Sequence, residues 1–367
     1  ETISTILARN WFVTTIRTIA VFLLILTVLT GLLGENSAYS NFNMTFFWII
    51  FLLGLTYLSA FIGNLYSVVN PWKILVEWYE ELMGSKVKGF MRYPKELAYY
   101  PALFFYFLFI WFELVGQTTP YRLSIILVQY TLITIAGTSV FGKEAWFKYG
   151  EFFNVFFQLI GKLAPVEKKE GKLYFRPPFV GLLKDKAEHF SLLLFILFML
   201  SSTAFDGFRE TTPWFRLYWR YIDDAVRPIL GDSSYSIFQT IGLLLSPVVF
   251  LIIYLTLIAL AKALAKSKQS LNELALQFAY SLVPIAFVYN VAHYFNLLFT
   301  EGPNIIRLIS DPFGLGWNLF NTASYFDSII VDANFTWHSQ VALILGGHIA
   351  GVYLAHLIAL HIFPSHK

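Results

Sequence analysis

Apolar runs of roughly 20 residues, the length that crosses ~30 Å of hydrocarbon, begin near Arg17, Thr45, Tyr99, Tyr121, His189, Tyr235, Leu271 and His338. In lipid every backbone donor and acceptor must be satisfied inside the segment, so runs of this length fold as helices. The expected fold is therefore all-α: a polytopic transmembrane helix bundle of about eight spans, with 1–367 forming one integral membrane domain. Composition agrees, with 57% hydrophobic and only 13% charged residues, where a soluble domain carries about 25% charged. The absence of cysteine excludes disulfides, thiolate metal sites and iron–sulfur ligation.

Lys and Arg in short flanking loops stay cytoplasmic, and their distribution orients the bundle. The 69–97 loop carries Lys73, Lys86, Lys88, Arg92 and Lys95; the 142–186 loop is richer still; Lys262, Lys266 and Lys268 follow the sixth run. These loops are expected inside. The 206–235 segment balances Arg209, Arg216, Arg220 and Arg227 against Glu210, Asp223 and Asp224, and 301–337 is net acidic, so both are expected outside, with both termini cytoplasmic in a multi-pass cell (plasma) membrane protein. Two sequons, Asn43-Met-Thr and Asn334-Phe-Thr, fall in loops assigned outside and make Asn43 and Asn334 candidate glycosylation sites. Between Ala145 and Ala164, Lys148, Glu151, Asn154, Gln158 and Lys162 recur at helical spacing, the pattern of an interfacial amphipathic helix rather than a ninth span. The aromatic and charged residues alternating from Pro213 to Ile229 predict a second interfacial stretch on the outer side.

Histidine is costly in hydrocarbon, and an ionisable residue kept there is a functional-site hypothesis by default. Four of the seven histidines lie between Trp337 and His361, inside the last apolar run. His338, His348 and His356 sample three depths, separated by roughly 15 and 12 Å, and are each about 80° apart around the helix. His293 lies in the outer half of the seventh run, Asp206 ends the fifth, and Glu113 lies near the outer end of the third. Glu113, Asp206, His293 and either His338 or His348 are thus candidates to meet in the outer leaflet, a donor set suited to Cu, Zn or Fe. His293 and His348 could instead clamp a haem b, with Gly346, Gly347 and Gly351 admitting a flat macrocycle or a neighbouring helix; His356 with His189 is a second possible pair. His361 and His366 read as inner-edge and tail residues. The chain has no G-x-S-x-G elbow, no H-E-x-x-H and no cysteine nucleophile. A metal-assisted hydrolase, or a transporter lined by Asn64, Glu113, Pro284 and Asn290, remains open from the residues alone.

Six stretches in order, Asn70-Pro-Trp, Tyr93-Pro through Trp111-Phe-Glu-Leu-Val, Thr203-Ala-Phe-Asp-Gly-Phe, Leu282-Val-Pro-Ile-Ala-Phe-Val-Tyr-Asn-Val-Ala-His-Tyr, Ser310-Asp-Pro-Phe-Gly-Leu-Gly-Trp-Asn-Leu-Phe and Gly347-His-Ile-Ala-Gly-Val-Tyr-Leu-Ala-His, resemble the integral membrane family called fenitrothion hydrolase-like. The resemblance implies an all-helical membrane protein linked by name to organophosphate hydrolysis. It places Glu113, Asp206, His293, His348 and His356 inside shared motifs, with Asn290 where the family pattern often has a second His. The residues together predict an integral membrane subunit of a larger redox or electron-transfer assembly. Its expected surroundings are the lipid bilayer and other membrane or extracytoplasmic subunits, without nucleic acid.

Overall fold

The computed structural model describes residues 10–169, 172–325 and 329–363, so His366 lies outside the described residues. Seven helical stretches are long and apolar enough to cross a membrane. These are α1 (Asn10–Leu33), α2 (Phe42–Ile62), α6 (Pro120–Phe141), α8 (Phe190–Arg209), α10 (Asp223–Leu230) running on into α11 (Ser234–Leu264), α12 (Leu271–Thr300) and α14 (Ala333–Ile362). Between them lie α3 (Tyr66–Val69), α4 (Pro71–Met83), α5 (Tyr100–Leu114), α7 (Phe152–Gly161), α9 (Thr212–Tyr221) and α13 (Asn304–Ser310). The run beginning near Tyr99 is the exception to the expected count. As α5 it has 15 residues, or roughly 22 Å of helix.

Local chemistry sets the helix ends. Asn70 and Thr119 each precede a proline and cap the following helix, accepting the amide of Lys73 at 3.0 Å and of Arg122 at 3.3 Å. Ser270 and Glu273 form a capping box at the start of α12. Inside α12 the turn Ala279–Leu282 tightens to 3₁₀ geometry just ahead of Pro284, which has no N–H to give the preceding turn.

Two expectations change here. The predicted helix from Ala145 to Ala164 breaks at Glu151, whose backbone is extended (φ −81°, ψ 103°). The Glu151 carboxylate accepts the amides of Phe153 and Asn154 at 3.2 and 2.9 Å and so starts a new helix, α7. Every residue of α7 except Gln158 is buried, so this is a core helix and not an interfacial one. Beyond it the strands β1 (Val166–Lys169) and β2 (Lys172–Phe175) form an antiparallel hairpin with Val166 opposite Phe175, the only sheet among the described residues.

The chain forms two compact units, where hydropathy suggested one domain. Three of the boundaries fall inside α5, α12 and α14; the others lie in the loop before α6, at 117/118, and in the 3₁₀ turn Val180–Leu183. The first unit comprises Glu1–Ala102, Thr118–Gly181 and Tyr294–His338. Its aromatic core stacks Tyr66 on Phe157 (4.7 Å between centroids) and Trp72 on Phe153 (5.7 Å). At one end Gly31 lets the Pro120 carbonyl come close to α1; a Cβ there would stand 2.4 Å from that oxygen and 2.1 Å from Asn43 Nδ2. Asn43 itself is fully buried and donates to Pro120 O at 2.8 Å and to Ser124 Oγ at 3.2 Å. The expected glycan acceptor is thus a core cross-link whose amide nitrogen is already in use. Asn334, at the start of α14, is exposed.

The second unit comprises Leu103–Gln117, Leu182–His293 and Ser339–Lys367. Its centre is α8, on which fourteen residues are buried, with Tyr106 of α5 stacked on Phe195 at 4.8 Å. His189 caps α8, its Nδ1 accepting the Ser191 amide at 3.1 Å. The α14 helix turns Gly347, Gly351 and Leu354 inward. A Cβ on Gly347 would meet Val288 at 2.0 Å, so the G-x-x-x-G pair serves close packing on α12.

Candidate functional site

In the second unit the last turn of α8 places Asp206 and Arg209 three residues apart on one face. Arg209 Nε donates to Asp206 Oδ1 at 2.8 Å, and an Arg209 Nη donates to the Leu114 carbonyl at the end of α5 at 2.6 Å. The other carboxylate oxygen, Oδ2, lies 2.8 Å from His293 Nε2 on α12. A carboxylate only accepts, so Nε2 carries the proton in this contact. Three helices are thereby tied at one level by a carboxylate only 6% exposed. The sequence placed Asp206, His293 and Glu113 together; the structure joins the first two directly. Glu113 is half-buried, one residue before the carbonyl that takes Arg209.

The remaining predicted ligands are elsewhere. His338, His348, His356 and His361 are not enclosed by the core; His338 and His348 lie on α14 with their rings turned back on their own helix. His348 Nδ1 donates to Ile344 O, 2.7 Å away, and His338 does the same to Asn334 O at 2.7 Å. A carbonyl cannot donate, so both rings present Nε2 as the free acceptor. His356 makes no hydrogen bond among the described residues. Around His348 the outer side of α14 carries Leu345, Ile349, Val352 and Tyr353, each more than half exposed. A Cβ added to Gly346 on that side would meet nothing within 4 Å. Among the described residues no three His, Asp or Glu side chains converge as a metal-holding group.

A second polar centre, in the first unit, escaped the sequence reading. Glu151 is completely buried and takes four donors: Tyr130 hydroxyl at 2.5 Å, Asn154 amide at 2.9 Å, Asn70 Nδ2 at 3.1 Å and Phe153 amide at 3.2 Å. All four are neutral dipoles, and burial pushes the carboxyl up to about 7 against their pull. Close by, the enclosed Tyr66 hydroxyl has no hydrogen-bond partner, and burial beside that carboxyl pushes its pKa well up. The sequence signals were present: Asn70 before a proline, and Glu151 opening an otherwise apolar Phe-Phe-Asn-Val-Phe-Phe run. Read as helical periodicity, they pointed outward instead.

No family model, curated protein or solved structure matches this chain.

Proposed function

We propose that this chain is an integral membrane subunit of a larger assembly, and that the outward face of α14 is where a neighbouring transmembrane subunit packs. One observation carries the reading. His348 stands near the middle of a 30-residue apolar helix, exposed, with Nδ1 tied to its own backbone and Nε2 unpartnered. Intramembrane ionisable groups almost always face a bundle interior or a wet cavity and pair there. An imidazole turned out of its own fold calls for a donor from another chain. The adjacent Gly346 allows a close helix approach.

The membrane reading extends to topology. Phe90 and Met91 amides bond the Ser139 and Val140 carbonyls, and Lys143 pairs with Glu80 at 2.5 Å, so the 80–91 and 139–143 segments share one end of the first unit. At the other end Glu35 and Phe42 amides reach the Phe313 and Pro312 carbonyls, and Asn43 reaches Pro120. With α6 running between the two ends, the return of the chain from Met91 to Pro120 supports reading α5 as an eighth crossing. An even number of crossings agrees with the Lys-rich loops in favouring both termini on the cytoplasmic side of the cell membrane.

A haem b or a Cu, Zn or Fe ion held at the subunit boundary would draw one ligand from His348 Nε2 or from His356. Tagged protein extracted from its native membrane in mild detergent is expected to bring down a stoichiometric partner. His348→Leu should lower that yield several-fold while leaving the thermal unfolding of the isolated chain unchanged. Full partner recovery with His348→Leu would refute the assigned face. A pyridine haemochrome spectrum and metal analysis of the same preparation test the cofactor.

A further inference from the structure

Within the first unit, α1, α2 and the turn from Val69 to Trp72 enclose a half-open cavity of about 310 Å³, at the lower end of the roughly 300–1,000 Å³ usual for small-molecule sites. Its walls are apolar. Among the described lining residues Thr27 carries the single hydroxyl, and that hydroxyl is spent on the Leu23 carbonyl at 2.6 Å. The Trp72 indole N–H is likewise given to Thr131 Oγ1 at 2.9 Å. Among the described lining side chains no N–H or O–H donor is left to orient a polar ligand, and the lining favours a hydrocarbon occupant.

The wall on α2 is built in an unusual way. Thr45–Gly54 is a ten-residue π-helix, a conformation that ordinarily appears as single-turn bulges, often at functional sites. In an α-helix residue i+5 lies about 140° around the axis from residue i, whereas i→i+5 bonding brings such pairs toward one face. The Leu55 amide makes that bond to Ile50 O. Phe46 with Phe51, and Ile50 with Leu55, are both i, i+5 pairs, and all four line the cavity. Rewinding this segment as α-helix would turn half of them away. Opposite, Ile16, Ala20 and Leu24 of α1 recur every four residues and present one stripe to the same space.

We infer that this cavity is a specific binding site for one acyl chain of a membrane phospholipid, held by the π-helical wall of α2 against α1. Both walls belong to candidate membrane spans, where acyl chains are the surrounding medium, and the lining offers nothing but contact area. This inference is independent of the subunit reading.

The test uses the purified full-length protein in phosphatidylcholine nanodiscs doped with a phosphatidylcholine that carries a diazirine in one acyl chain. After photolysis, peptide mapping should concentrate the label on residues 16–27 and 46–58. Ala20→Trp, which fills the cavity, should lower that labelling at least fivefold and leave the label on Ile252 and Leu257, 60% and 58% exposed on α11, unchanged. Labelling of α1 and α2 no denser than at those two exposed residues would overturn the inference. So would undiminished labelling in an Ala20→Trp protein that keeps its thermal transition. If Ala20→Trp fails to fold, competition on the wild type decides. Displacement of the label by excess unlabelled phosphatidylcholine supports the site, and displacement only by an isoprenoid-tailed quinone overturns the acyl assignment.

Discussion

Asp206→Ala is expected to destabilise the protein by roughly 3 kcal/mol, because removing one partner of a buried ion pair leaves the other charge uncompensated. Arg209 would keep its bond to the Leu114 carbonyl and a longer contact, 3.7 Å, to the exposed Glu210, but lose its buried carboxylate, and His293 would lose the acceptor for its Nε2 proton. The effect is predicted to depend on the orphaned charge rather than on lost packing. Asp206→Ala combined with Arg209→Met should therefore recover a substantial part of the loss, since both members of the pair are then gone. Asp206→Asn, which keeps one acceptor for Arg209, should fall between wild type and Asp206→Ala. Thermal unfolding of the four proteins in one detergent measures this. A double variant no more stable than Asp206→Ala would show that the ion pair is not the source of the effect.

Glu151 is expected to give a comparable effect with a distinctive pH dependence. Glu151→Leu removes the cap of α7 and leaves the buried Asn70 amide and Tyr130 hydroxyl without their acceptor, a loss on the order of 4 kcal/mol when a cap and two buried donors are summed. The carboxyl titrates at about 7 in the fold, against 4.5 for the free side chain. Between these values the unfolded chain releases a proton that the folded chain retains, so stability falls as pH rises through the window. The loss is fully present above about pH 7 and amounts to roughly 3 kcal/mol. Below that pH the protonated acid has an O–H to give, and the nearby Tyr66 hydroxyl oxygen is otherwise unpartnered. Glu151→Gln mimics the protonated acid and should flatten the pH slope between about 4.5 and 7 while unfolding near the wild-type temperature at the acid end. An unchanged slope in that variant would assign the titration to another group.

What the sequence made legible follows from the physics that fixes each feature. Long apolar runs, caps that stand before a proline and the Ser270–Glu273 capping box depend only on neighbours in sequence, and so are legible there. So was the Asp206–His293 pair, because depth along two helices can be counted residue by residue. Rotation about the helix axis could not be read so easily. His338 or His348 is a candidate to meet His293 and Asp206, and His356 to pair with His189, yet the inward face of α14 belongs to Gly347, Gly351 and Leu354. Small residues drew that helix surface against α12, and the imidazoles were left outside. The same ambiguity hid Glu151: a carboxylate in a polar periodicity normally faces water, and only the backbone break before α7 turns it into the core. Asn43 matched a sequon of three residues, a pattern too short to register the tertiary bonds to Pro120 and Ser124.

We propose that the imidazole face of α14 is covered by another protein. A photo-reactive benzoyl-phenylalanine at Val352, which is 68% exposed one turn from His348, reports what lies against that face in the native membrane. Irradiation should yield one discrete cross-linked protein species, recovered with the chain and absent when His348 is also changed to Leu. Cross-links to lipid alone, with no protein adduct in intact membranes, would show that no subunit covers this face.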